Sequence, residues 1–161
     1  MLWSDEDVAG FRQPAPDPNL RLFQSTKEND LLVVYREQSE SSERIHTRAY
    51  WLNKNRIRIT RAQPPIFTSK HASRNLTAIP VFNSLPPNAE TNTTLCVVYG
   101  PSQQSFALFS TNQEVGAYTL PAYDKGRPVA EKIALTPLAM TADAAIVGAV
   151  VGLVILASEN N

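Results

Sequence analysis

The sequence predicts a mainly β protein, an antiparallel sandwich or open barrel of about eight strands that is followed by an apolar C-terminal helix. Segments of alternating apolar and polar residues recur at intervals of roughly 8–12 residues, as in all-β folds. Twelve prolines against six glycines favour extended segments and fixed turns over long helices. The third observation is an uncharged apolar run near the C-terminus, and the 161 residues suit a single domain.

The chain divides into three segments by composition. Residues 1–19 are polar and carry Pro14, Pro16 and Pro18 on alternate positions, which predicts a flexible lead-in with an extended path. Residues 20–136 contain the strand signals and form the predicted β-rich domain. Residues 137–161 form the predicted apolar tail.

The alternation of apolar and polar residues is clearest in the first third of the β-rich domain. The segment Asp30–Gln38 predicts a central strand, and Arg44–Leu52 alternates with a period of two after a short polar turn. A second turn, Asn53–Asn55, precedes the alternating segment Arg56–Thr60, so residues 30–60 are predicted to form a meander of three antiparallel strands. The remaining predicted strands are Leu20–Gln24, Ala78–Phe82, Leu95–Tyr99, Ser105–Ser110, Glu114–Leu120 and Val129–Leu135.

The charges cancel overall but are unevenly spread along the chain. Residues 1–43 hold nine acidic and four basic side chains, residues 44–74 hold eight basic and no acidic ones, and residues 75–161 hold six acidic and three basic ones. Either the three blocks neutralise one another in the fold or the middle block forms a basic face. Because the formal net charge is zero, nucleic acid is not the expected ligand.

A candidate face for an anionic ligand lies in this basic block. Alternation puts three of its residues on one side of one strand and two on one side of the next: Arg44, His46 and Arg48, then Arg56 and Arg58. Such a surface suits anionic lipid headgroups or polyanionic glycans. The alternative is that these are ordinary solvent-facing positions of an antiparallel sheet, partly paired with the acidic N-terminal block.

The C-terminal tail has two interpretations. Residues 138–157 contain a single charge, Asp143, and as a helix they would just span the ~30 Å hydrocarbon core of a membrane. The run has no polar face, and Gly148 and Gly152 would let two helices approach closely. The tail is therefore predicted either to contact a membrane or to be buried in its own fold or in a homo-oligomer. Asp143 either pairs with a basic group or complements a helix N-terminus.

The sequence shows no catalytic constellation, no cofactor motif and no metal-ligand spacing. His46 and His71 have no cysteine or carboxylate at ligand spacing, and the single Cys96 lies in an apolar strand, which predicts a buried thiol. Neither of the two common serine-nucleophile motifs occurs. We therefore expect no cofactor, no metal and a non-enzymatic role. The remaining alternative is an enzyme whose site is assembled from residues distant in sequence.

Two stretches carry a resemblance to known proteins. The first is Asn29–Tyr35, followed by Arg48–Leu52; the second is Glu114–Asp124, followed by Leu135–Ala139 and by Ala142–Asp143. They resemble a set of uncharacterised bacterial envelope lipoproteins, in which a β-rich domain ends in a leucine-threonine-proline step and an Asp-containing apolar segment. The resemblance implies a membrane-associated protein on the periplasmic side of the cell envelope, with no known activity. The sequence begins without a signal peptide or lipobox cysteine, which fits a cytosolic protein and fits equally a precursor whose signal peptide has been removed; the resemblance implies the second.

Overall fold

The fold is mainly β in the part of the chain that the computed structural model describes, residues 10–40, 42–85 and 95–125. These ranges contain eleven short strands, the α-helix α1 (Leu52–Thr60) and a 3₁₀ helix (Lys70–Ser73). The strands are β1 (Phe11–Pro14), β2 (Arg21–Ser25), β3 (Asp30–Ser39), β4 (Ile45–Trp51), β5 (Phe67–Thr68), β6 (Thr77–Ile79), β7 (Val81–Phe82), β8 (Leu95–Tyr99), β9 (Ser105–Ser110), β10 (Gln113–Thr119) and β11 (Tyr123–Asp124).

Strand β3 is the centre of a curled, seven-stranded antiparallel sheet. Strand β4 pairs along one edge of β3, while β1 and β2 follow one another along the other edge. Further out, β5 pairs with β4, β6 pairs with β2, and β11 pairs with β1. A second sheet has the order β10-β9-β8-β7, in which β7 is parallel to β8 and the other pairs are antiparallel.

The main core lies where side chains of the two sheets meet. Leu22, Val33 and Tyr50 of the large sheet join Phe106 and Leu108 of the small sheet in one buried cluster. Burial of such side chains contributes about 25 cal/mol per Å² of apolar surface removed from water. The contact between the sheets therefore stabilises the fold as a whole.

Strand β3 is buried on both of its faces. Leu32 and Val34 belong to a second, smaller cluster, against which Ala72 and Leu76 pack from the region of the 3₁₀ helix. A strand that is covered on both faces has no solvent-facing positions, and so it has no positions that favour polar residues. This explains why the first half of β3 is a continuous apolar run instead of an alternating one.

Most predicted strands are confirmed within the described ranges. Strand β9 coincides with its prediction, and β2, β3, β4, β8 and β10 agree with theirs to within one residue at each end. The turn Thr111–Asn112 joins β9 to β10 with positive φ at both residues, as tight hairpins of this kind require. The predicted strand Ala78–Phe82 is instead divided at Pro80, with β6 in the large sheet and β7 in the small one.

The remaining predictions for the C-terminal part lie outside the described residues. They are the strand Val129–Leu135 and the apolar tail, residues 137–161, with Asp143, Gly148 and Gly152.

Part of the predicted lead-in belongs to the sheet. Phe11–Pro14 forms β1, which pairs with β3 and with β11. The proline-marked segment then keeps contact with β3, because the Ala15 N–H donates to the Arg36 carbonyl (2.9 Å) and the Arg36 N–H donates to the Pro18 carbonyl (2.7 Å). Residues 15–20 form a bulge opposite only two residues of β3, and in this bulge the prolines remove no hydrogen bond of the sheet.

The prediction of a third meander strand at Arg56–Thr60 is wrong, because these residues belong to α1. The helix instead buries residues at a spacing of three and four, with Leu52 and Asn55 buried and Ile59 packed partly against the core. In a strand, Ile57 and Ile59 would share one face, but in the helix the Ile57 side chain is 60% exposed.

The side chain of Asp30 explains why a helix begins here. It is almost fully buried and accepts hydrogen bonds from the backbone N–H groups of Leu31 (2.7 Å), Asn53 (2.8 Å) and Lys54 (3.2 Å). The last two donors belong to the first turn of α1, where backbone N–H groups have no partner within the helix. Burial raises the pKa of Asp30 above its ordinary value, and the three N–H donors oppose this shift.

We expect Asp30→Ala to lower the free energy of unfolding by about 2 kcal/mol, because it leaves buried N–H groups without an acceptor. Asp30→Asn keeps one carbonyl oxygen at this position and should cost less. Urea denaturation followed by circular dichroism measures both variants. An alanine variant as stable as the parent would contradict the capping role of Asp30.

Candidate functional site

A buried carboxylate, Glu37, organises the polar part of the inner face of the large sheet. It lies on β3 and is fully buried. The phenol groups of Tyr35 (3.1 Å) and Tyr123 (2.6 Å) donate to one carboxylate oxygen, and the Arg48 Nε donates to the other at 3.3 Å. These four side chains, which we call the Glu37 cluster, connect β3, β4 and β11.

The electrostatics of the Glu37 cluster keep the phenols protonated. Burial, together with the adjacent Glu37 carboxylate, raises the pKa of Tyr35 and of Tyr123 above their ordinary values. Arg48 balances the charge of Glu37, and Arg12 of β1, which is buried and opposite Tyr123 in the register, adds a second positive charge nearby. A buried carboxylate is tolerated only with such hydrogen bonds and charges around it.

A half-open cleft of about 420 Å³ lies at the edge of the sheet beside the Glu37 cluster. Strand β4 contributes four residues to its lining, Ile45, His46, Thr47 and Arg48, and β5 and the start of the 3₁₀ helix contribute Phe67, Thr68 and Lys70. The described lining thus contains cationic side chains, hydroxyl groups and one aromatic ring, and no carboxylate.

The cleft exists because β5 is much shorter than β4. Strand β5 pairs with β4 only at Ala49 and Tyr50, so residues 45–48 of β4 extend past it. Phe67 closes the inner end, where its ring lies 5.2 Å from the Arg48 guanidinium carbon and 6.0 Å from the ring of Tyr123. Arg48 therefore belongs both to the Glu37 cluster and to the cleft wall.

Only part of the predicted anionic-ligand face is brought together by the fold. His46 and Arg48 line the cleft, and Arg44 is exposed just before β4 begins. Arg56 and Arg58 do not continue this face, because the segment that carries them is a helix and not a paired strand. The prediction that Arg56 and Arg58 lie on a neighbouring strand is therefore wrong. Anion binding itself stays a prediction.

The uneven charge blocks are partly neutralised in the fold. Besides Glu37 and Arg48, the carboxylate of Glu28 lies 2.6 Å from the Lys54 Nζ. Both pairs join an acid of the first block to a base of the middle block. The hydrogen bond and the charge of Lys54 lower the pKa of Glu28. Two charges of the basic block are thus balanced by acids within the fold, and one of these bases, Arg48, also lines the cleft.

Sequence reasoning missed the residues on which the cleft depends. Glu37 had one usable signal, since a carboxylate inside a strand predicted to be central must find donors and a positive charge. Phe67 and Lys70 fall in a stretch without regular alternation of apolar and polar residues, and Tyr123 falls between the predicted strands Glu114–Leu120 and Val129–Leu135. These residues are distant from Glu37 along the chain, so no short sequence motif links them to it.

The described ranges hold neither a metal centre nor a membrane-spanning helix. Within them, no group of three or more His, Cys, Asp or Glu side chains could hold a metal ion, and no helix is both long and apolar enough to cross a membrane. Cys96 is half-buried on β8, and burial raises the pKa of its thiol. No protein-family model, curated protein or solved structure matches the chain.

We expect Tyr123→Phe to lower the free energy of unfolding by about 2 kcal/mol, because a buried hydrogen bond to a charged group is lost. The matched control is Tyr50→Phe, since the Tyr50 hydroxyl is also buried but has no hydrogen-bond partner among the described residues. That variant should leave the stability unchanged or raise it. Equal losses in urea denaturation of the two variants would contradict the role given to the Glu37 cluster.

Proposed function

We propose that this chain is a non-enzymatic binding protein of the bacterial cell envelope, membrane-associated on the periplasmic side, and that it binds an anionic group in the cleft beside Glu37. The observation that carries the proposal is the cleft lining, which contains a guanidinium, an ammonium, an imidazole and two hydroxyl groups and no carboxylate among the described residues. The alternative is a soluble binding module whose C-terminal tail completes its own core or a homo-oligomer interface.

Arg48 is the residue that we expect to contact the ligand most directly. Its Nε is held by Glu37 and its guanidinium lies against Phe67, so its orientation is fixed before a ligand arrives. The planar guanidinium matches the geometry of a carboxylate or phosphate group. Lys70, which is exposed at the start of the 3₁₀ helix, can add a flexible ammonium group.

The expected ligand is an anionic lipid headgroup or an anionic glycan. A volume of about 420 Å³ is at the small end of the range typical of ligand sites, about 300–1,000 Å³, and suits one headgroup or one sugar unit. Because the cleft is half-open, the rest of a larger molecule could extend into solvent. The ring of Phe67 offers an apolar surface for the uncharged part of the ligand.

The envelope location is supported by sequence. The resemblance to bacterial envelope lipoproteins implies it, and the nearly uncharged run at residues 138–157 suits contact with a membrane. In this proposal the sandwich or open barrel is followed by an apolar C-terminal helix. Asp143 would lie near the start of that helix, and Gly148 and Gly152 would form its packing face.

We expect inorganic phosphate, added to the full chain, to shift the backbone amide resonances of Thr47, Arg48 and Thr68 in a salt-dependent manner. Lys70→Gln should weaken binding about threefold to fivefold, as the loss of one exposed charge contact does. The matched control is Lys27→Gln, which removes the same charge from the exposed turn between β2 and β3. If both variants bind phosphate as tightly as the parent, the cleft is not the anion site.

We expect a chain that ends at Thr136 to stay monomeric and keep its melting temperature, while the full chain binds liposomes. The physical reason is that a membrane-contacting tail adds little to the core of the domain. Size-exclusion chromatography with light scattering and thermal melting compare the two forms. If truncation unfolds the protein and the full chain is soluble without detergent, the tail is part of the core or of an interface, and the alternative holds.

A further inference from the structure

Helix α1 and the loop after it form a single hydrogen-bonded unit, residues 52–66, which we call the α1 unit. The helix packs on the core through Leu52, Asn55 and Ile59. By the helical period, its opposite face carries Lys54, Ile57 and Arg61. The unit thus presents a face to solvent that does not contribute to the core.

Hydrogen bonds hold the loop firmly against the helix. The Arg58 Nε donates to the Pro64 carbonyl (2.9 Å), and the Gln63 N–H donates to the Arg58 carbonyl (2.8 Å). At the far end, the Ile66 N–H donates to the Asn55 Oδ1 (2.6 Å), and the Asn55 amide donates back to the Ile66 carbonyl (3.4 Å). The loop is therefore preorganised, and its exposed side chains keep their positions relative to the helix.

Two large apolar side chains are exposed on this rigid unit. Ile57 is 60% exposed and Ile66 is 64% exposed, the two most exposed large apolar side chains of the described residues. Transfer of an exposed isoleucine side chain from water to an apolar environment is favourable, by about 25 cal/mol per Å² of apolar surface removed from water. These two side chains are therefore available for contact with an apolar environment.

The same unit carries positive charge without a single acid. Its cations are Lys54, Arg56, Arg58 and Arg61, and residues 52–66 contain no Asp or Glu. Lys54 is balanced by Glu28, whereas Arg58 and Arg61 make no ion pair within the described residues. Arg56 differs from them, because a nitrogen of its guanidinium is buried. Isoleucine beside unpaired arginine is the combination that binds an anionic bilayer, because the apolar groups enter the interface while the cations contact phosphate headgroups.

We propose that the α1 unit docks on the surface of a membrane rich in anionic lipid. Ile57 and Ile66 enter the headgroup region, and Arg58 and Arg61 bind lipid phosphates. This inference rests on the membrane association of the proposed function and names the surface and the lipid class that mediate it. It is separate from the cleft, which lies on β4 and β5.

The test is co-sedimentation of the full chain with two kinds of vesicle, phosphatidylcholine alone and phosphatidylcholine mixed with phosphatidylglycerol. The apolar tail can bind both kinds, so the quantity of interest is the gain in affinity on adding phosphatidylglycerol. Arg61→Gln should reduce this gain about fivefold, the effect of one cation near an anionic surface, and added salt should reduce it further. Ile57→Ser combined with Ile66→Ser should weaken binding to the mixed vesicles severalfold.

Matched controls separate the α1 unit from general surface effects. Arg21→Gln removes one exposed charge from β2, and Leu85→Ser removes an exposed apolar side chain after β7. Both controls should bind the mixed vesicles like the parent, and the thermal melts of all variants should match. The proposal is overturned if the α1 variants bind the mixed vesicles as the parent does, or if Lys70→Gln reduces the gain and Arg61→Gln does not. Loss of all vesicle binding on removal of the tail, with no effect of the α1 variants, would leave the proposed function standing and reject this surface.

Discussion

The large sheet depends on satisfying the carboxylate of Glu37 in its interior. Taking a carboxylate out of water costs several kcal/mol unless hydrogen bonds and a positive charge replace the lost hydration. Tyr35 on the same strand, Arg48 on the next strand and Tyr123, 86 residues away, provide both. Because each of these contacts is directional, they favour the observed arrangement of β3, β4 and β11. The polar cluster therefore adds specificity to a fold whose stability comes mainly from the apolar contact between the sheets.

The same carboxylate also links the fold to the proposed binding site. Glu37 holds the Nε of Arg48, and Phe67 packs against the guanidinium from the side of the cleft. An arginine fixed in this way loses little conformational entropy when it contacts an anion. The short strand β5 leaves the neighbouring part of β4 open, so the fixed cation is accessible. Arg48 thus both pairs with Glu37 inside the sheet and remains accessible from the cleft.

The second buried carboxylate, Asp30, acts on the other end of β3. It accepts two N–H groups from the first turn of α1 and so makes a helix out of a segment whose alternation suits a strand. The consequence extends to the surface, because a helix separates Ile57 from Ile59 and exposes Ile57 next to basic residues. The basic residues predicted to form one face of a sheet are therefore divided between the cleft on β4 and the α1 unit.

The sequence by itself determined the mainly β class, the position of most strands and the location of the basic block. These features depend on local periodicity and composition, which a short window of residues contains. Tertiary structure alone decided that Arg56–Thr60 is helical, because its cap, Asp30, lies 23 residues from Asn53. It also decided which cations meet in the cleft, since Arg48 and Lys70 approach one another only through the pairing of β4 with β5. Contacts between residues distant in sequence produce no periodic pattern in the sequence. The pattern that predicted the fold could therefore not predict the site.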